Sequence, residues 1–242
     1  MRPKAGALRL VALLAFLASI RPISAQEVEA WFSRPGESAS YATLKTQLLA
    51  LAATERSAIL TDRPLALRLI EGARKGVSPS KLVGILKDET TQLVAAAAVL
   101  REKELLPTDR DAANRLFLQL DIALRSGCDV ADFSAALEGS IAKNGRGPAA
   151  STRAVAVLTS IAGMKIEKKD RGELITAIAS GPLPDARLSS VRSTYADLVV
   201  TGVSSDDSLK NLRETLGPAR QSPGDESPRR PPDPEKRERA GP

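Results

Sequence analysis

From residue 41 to residue 216, apolar side chains recur at the three- and four-residue spacing of a helix face, and most runs end at glycine or proline. Leu65, Leu69, Ile70 and Ala73 form one such face. Pro64 suits its first turn, Gly76 supplies a left-handed end, and Ser78-Pro79 opens the next helix as cap and first residue. The same reading predicts helices from Tyr41 to Leu60, from Pro79 to about Leu105, and from Thr108 or Asp109 to Ser126. Further helices are predicted from Asp129 past Ile141, from Pro148 to about Gly163, from Leu174 to Ser180, from Leu188 to Val200, and from Ser208 to Leu216. Sustained two-residue alternation with β-branched side chains does not occur. The expected fold is all-α: a short-looped helical array, either α-solenoid-like or an orthogonal helical bundle.

A weak internal similarity fits such an array. Residues 69–78 and 120–129 both end a helix in glycine, follow it with an apolar or small residue, and then place a serine or aspartate cap. Residues 174–182 and 195–204 end in a similar way, and Gly76, Gly127 and Gly181 are nearly evenly spaced.

The two ends of the chain read differently. Arg2, Lys4 and Arg9 precede an apolar run from Leu10 to Ile20, and Pro22 leads to a small residue, Ala25, suited to cleavage. That run, at ~1.5 Å per residue, reaches about half of a ~30 Å hydrocarbon core, so a removed signal peptide over residues 1–25 is expected rather than a membrane anchor. No Arg-Arg pair precedes the run, which points to the general secretory route and to a periplasmic or extracellular destination. Residues 217–242 carry seven of the 16 prolines, and no aliphatic residue larger than alanine. This tail is expected to be disordered, with local polyproline II character at Pro231-Pro232-Asp233-Pro234. Residues 26–40 are read as an N-terminal linker and 41–216 as the helical domain, any sub-boundary falling near 144–148.

Composition then removes whole classes of function. The chain has no histidine and one cysteine, so imidazole chemistry, internal disulfides and Cys-rich zinc sites are excluded. Arg2, Lys4, Arg9 and Arg21 account for most of the net charge of +6, and residues 26–216 are balanced to within one charge. Without a concentrated basic face, nucleic acid is not an expected partner. No segment after Gln26 is apolar for long enough to span a bilayer in the mature form.

The remaining polar motifs are short. Ser78-x-x-Lys81 and Ser140-x-x-Lys143 carry the spacing that places a nucleophilic hydroxyl one helical turn from a lysine, but no companion motif accompanies them. Ser78 reads better as an N-cap. Asp109/Asp111, Asp88/Glu89 and Asp206/Asp207 are acidic pairs, two of them at predicted helix starts, where they oppose the helix dipole. Gly72-x-x-x-Gly76 reads as a close helix crossing followed by a helix end. Cys128 reads as a buried thiol behind Gly127, with a dimer bridged through Cys128 as the alternative. Trp31-Phe32 reads as core packing rather than a free docking peptide.

No catalytic, cofactor-binding or metal-ligating residue is assigned, and no cofactor is expected. The functional expectation is a secreted or periplasmic helical interaction or scaffold protein, not an enzyme, whose partner is another envelope or secreted protein. Its rivals are a cell-envelope hydrolase with a Ser-Lys or carboxylate site, and a structural component of the envelope.

Overall fold

The computed structural model describes residues 27–34, 36 and 38–216. Both the signal-peptide segment and the tail after Leu216 lie outside the described residues. The described chain is helical throughout and contains no strand. In order it forms α1 (Glu27–Phe32), a 3₁₀ turn (Ala39–Leu44), α2 (Lys45–Ile59), α3 (Arg63–Arg74), α4 (Pro79–Glu102) and α5 (Arg110–Arg125). There follow α6 (Val130–Asn144), α7 (Pro148–Ile161), α8 (Lys168–Ser180), a second 3₁₀ turn (Asp185–Arg187), α9 (Ser190–Val200) and α10 (Ser205–Leu216). Among the described residues, no helix is long and apolar enough to cross a membrane.

The helix ends explain the similarity seen in the sequence. After α3, the Val77 amide donates to the Gly72 carbonyl and the Gly76 amide to Ala73, both at 3.0 Å. This is the paired 6→1 and 5→2 bonding of a Schellman end, and it needs the positive φ that Gly76 adopts, 67°. The same pair closes α5 at Gly127 and Cys128, and α9 at Gly202 and Val203. Three ends depart from expectation. Gly181 is extended rather than left-handed, with φ −72°. The end of α4 uses Glu104, a non-glycine residue at φ 59°, in the same bonding pattern. Leu60, also left-handed at φ 66°, stops α2 where no glycine marks the sequence.

Helix starts are equally specific. Asp109 accepts from the amides of Asp111 and Ala112. Asp129 and Asp132 exchange reciprocal side-chain and backbone bonds, each at 2.9 Å, as a capping box. Ser78 does occupy the N-cap position of α4, yet its hydroxyl caps no amide. At the start of α10 the capping group is Ser204, whose Oγ accepts from the Asp207 amide, and not Asp206.

Packing runs between helices that are adjacent or next-but-one in the chain: α6 lies against both α7 and α8, α2 against α4, and α5 against α7. Two buried clusters result. The smaller gathers Val28, Trp31, Tyr41, Leu48, Leu69 and Leu82. The larger runs from Ile59 and Leu93 through Phe117, Phe133 and Leu158 to Leu212. The long helix α4 enters both, with Leu86 in the first and Leu93 in the second. Residues 26–40, read as a linker, hold α1 and the start of the first 3₁₀ turn, and Val28 and Trp31 are buried. Trp31 meets Phe32 and Tyr41 edge-on at centroid distances of 4.9 and 5.7 Å. The expected single helix from Tyr41 to Leu60 is broken, because Tyr41 sits in the 3₁₀ turn and donates its hydroxyl to the Val77 carbonyl at 2.7 Å. Around 144–148 the core is continuous, since Leu137 of α6 and Ala150 of α7 belong to one cluster.

Two glycines inside helices set close approaches between helices. A Cβ at Gly72 would lie 2.5 Å from Leu82 Cδ1, and one at Gly139 would lie 2.7 Å from the Ala179 Cβ. The first confirms the α3–α4 crossing expected from Gly72-x-x-x-Gly76. The second brings α6 and α8 together in the same way.

Candidate functional site

Neither Ser-x-x-Lys pair forms a catalytic couple. Ser78 and Lys81 are both exposed. Ser140 is fully buried and its hydroxyl has no hydrogen-bond partner. The Lys143 ammonium is instead committed to the carbonyls of Gly181 and Leu183, at 2.6 and 2.9 Å. Partial desolvation and the nearby Arg153 lower its pKa. The acidic pairs also separate into structural roles. The amides of Ala112 and Asp111 hold the Asp109 carboxyl below its usual range. Asp88 is exposed, while Glu89 receives Arg68 Nη2 and Nε at 3.1 and 3.3 Å. No group of three or more potential metal ligands occurs among the described residues. Cys128 is buried, its sulfur 3.9 Å from the Leu158 carbonyl, and burial pushes the thiol up to about 11. A bridge between copies through Cys128 would require the α5–α6 connection to open.

The charged groups that matter most to the fold were not among the residues singled out from sequence. Glu55 of α2 is 1% exposed and faces no cation; its Oε1 accepts from Thr90 Oγ at 3.0 Å and its Oε2 from the Leu65 amide at 3.4 Å. Burial raises its pKa to about 8. Nearby, Asp62 receives the Glu27 and Val28 amides and Arg56 Nη1, tying α1 to the α2–α3 connection. Thr61 donates to Asn114 Oδ1 at 2.6 Å. These groups lie where one core gives way to the other: Thr90 falls between Leu86 and Leu93, and Glu55 between Ala52 and Ile59. Arg68, Glu89, Gln92, Asp121 and Arg125 line a polar cleft of about 400 Å³ beside them. Burial raises Asp121 to about 6, against the pull of Arg125.

Arg153 is the largest fully buried side chain among the described residues. Its Nε donates to Ala179 O at 2.9 Å, its Nη2 to Ile178 O at 2.8 Å, and its Nη1 to Leu183 O at 3.0 Å and to Asp185. The last carbonyls of α8 are therefore satisfied by a guanidinium from α7, which is why Gly181 need not adopt the left-handed end seen elsewhere.

Among the described residues, two open apolar depressions mark the surface. One, of about 430 Å³, lies between the α4–α5 and α6–α7 connections and includes Leu105, Leu106, Pro107, Leu116, Pro148 and Ser151 in its walls. The other, of about 450 Å³, lies between α5, α7 and the start of α9, with Ile122, Ala156, Leu188 and Arg192 around it. No protein-family model, curated protein or solved structure matches this chain.

Proposed function

We propose that this chain is an exported helical interaction protein that works by surface contact in the periplasm or outside the cell. The observation that carries the contact reading is the depression around Ile122. This isoleucine is 49% exposed on α5 and stands beside Ala156 and Leu188, with Arg192 at the rim. Together with the apolar lining of the depression, this half-exposed side chain offers a partner an apolar contact surface. Export rests on the charged n-region, the Leu10–Ile20 run and the Ala25 exit.

Two measurements test the two halves of the proposal. Intact mass of the exported protein is expected to place the mature start at Gln26; retention of residues 1–25 would refute removal of the leader. A photo-cross-linking residue at Ile122, in the native compartment, is expected to give one discrete adduct that Ala156→Arg abolishes. The same adducts from a probe at exposed Lys81, or adducts indifferent to Ala156→Arg, would refute the contact surface.

A further inference from the structure

We propose that the bundle opens in two stages at alkaline pH, the N-terminal unit from α1 to Thr90 of α4 parting from the rest as Glu55 gives up its proton. This device lies wholly in the interior and is independent of the Ile122 surface.

Two separate buried clusters define the two units. Val28, Trp31, Tyr41, Leu48, Leu69 and Leu86 belong to the first, while the larger second cluster begins at Ile59 and Leu93. Both α2 and α4 cross from one cluster to the other, and at the crossing Glu55 and Thr90 interrupt their apolar faces. Thr90 Oγ donates to Glu55 Oε1 at 3.0 Å, and the Leu65 amide, in the first turn of α3, donates to Oε2 at 3.4 Å. Thr61, between α2 and α3, extends this polar seam by donating to Asn114 Oδ1 of α5. Apolar burial therefore holds each unit together, whereas Glu55 and its hydrogen bonds sit at the join.

The cations around Glu55 are committed elsewhere. Arg56 on α2 is bound to Asp62 at 2.8 Å, and Asp62 itself opposes a negative charge on Glu55. Arg63 of α3 lies 3.6 Å from Glu27 of α1, Arg110 of α5 also bears on Glu27, and Glu29 is exposed. Arg68 of α3 pairs with Glu71 and with Glu89 of α4. Also on α4, Arg101 donates to the Ala58 carbonyl, and Lys87 and Asp88 are exposed. On α5, Arg125 pairs with Asp121, whose charge adds to the repulsion. The 3₁₀ turn at Ala39–Leu44 holds no charged residue.

A carboxylate in this seam is thus relieved only by water, which enters when the seam parts. Once exposed, Glu55 ionises near 4.5, whereas in the closed seam burial holds its proton to about 8. Between those values the open form binds fewer protons than the closed form, so rising pH favours opening. The N-terminal unit is the one that yields, because its cluster is the smaller and contains Leu65, whose amide holds Glu55.

The chain carries one native reporter for each unit. Trp31, the single tryptophan, is buried in the first cluster, and Cys128, the single cysteine, is buried in the second. Urea unfolding of the full chain at about pH 6 and about pH 9 is followed by Trp31 emission and by pulsed labelling of Cys128 with a thiol-specific disulfide. Each labelling rate is normalised to that of the unfolded chain at the same pH. At the lower pH the two midpoints are expected to coincide. At the higher pH the Trp31 midpoint is expected to fall below the Cys128 midpoint by ~1 M urea or more. Glu55→Gln, which cannot ionise, is expected to keep the midpoints together at both. A wild-type Trp31 midpoint at or above that of Cys128 at the higher pH would overturn the proposal, with or without the variant. So would an equal separation at both pH values, or a Glu55→Gln chain whose midpoints still separate at the higher one.

Discussion

Replacing Glu55 by glutamine isolates the one carboxyl that, among the described residues, is buried without a cation. In the unfolded chain Glu55 ionises near its ordinary value of 4.5, whereas in the folded protein burial holds its proton to about 8. Between those values the native state binds more protons than the unfolded state, so stability falls as pH rises. The stability associated with the bound proton is fully present below about 4.5 and is gone once pH has passed about 8. At ~1.4 kcal/mol per pKa unit the loss approaches ~5 kcal/mol, a large share of a typical total of ~5–15 kcal/mol. Glutamine is nearly isosteric with the protonated acid. Its amide oxygen accepts from Leu65, and its NH₂ donates to Thr90 Oγ, with the hydroxyl proton turned away.

The assay is urea unfolding followed by far-ultraviolet circular dichroism from about pH 5 to about pH 9, with wild type and Glu55→Gln side by side. Asp121 titrates in both proteins over a lower window, ending near 6, so the difference between the two curves isolates Glu55. The variants are expected to be close at the acid end. Glu55→Gln should be more stable by several kcal/mol at the alkaline end. Parallel curves across the whole range would refute the reasoning, since they would mean that Glu55 ionises in place at no cost.

Three further outcomes follow from the same geometry. Arg153→Met should lower unfolding free energy by at least ~3 kcal/mol in urea titration, because it strands the carbonyls of Ile178 and Ala179, while Leu183 keeps its bond from Lys143. Asp129→Ala, which breaks a capping box, should cost ~1 kcal/mol in the same assay, while Ser78→Ala should leave the midpoint unchanged because its hydroxyl caps nothing. Cys128 should react with a thiol-specific chromogenic disulfide far more slowly in the native protein than in urea, as its burial and a pKa near 11 require.

Helix existence was legible in the sequence because the apolar period, glycine ends and Ser/Asp caps agree at most positions. Gly76, Gly127 and Gly202 adopt the left-handed ends that their context implies. The misplaced boundaries have local causes. Leu60 and Glu104 take positive φ without being glycine, because the bonds that close α2 and α4 outweigh the cost of one strained residue. Gly181 fails in the opposite sense, since Lys143 and Arg153 satisfy the end of α8 from outside it. No reading of residues 174–182 alone contains those two side chains. Ser78 has the sequence of a cap and lacks its bond, which shows that cap position and cap energy are separate facts.

The buried charges carried a readable signal that composition and motif searching pass over. Leu48, Ala52 and Ile59 follow one helix face, and Glu55 falls on that face rather than opposite to it. Arg153 stands likewise three residues from Ala150 and four from Val157, and Asp121 four from Phe117 and three from Leu124. A charged residue on an apolar stripe must find partners, change its protonation or reach solvent, and this protein uses the first two. Arg153 finds carbonyls, and Glu55 keeps its proton. Their positions follow from the sequence period, but which remedy each adopts depends on residues 10 to 35 positions away, on other helices. Ser151 is the third kind of case. It lies on the buried side of α7 and finds no partner among the described residues.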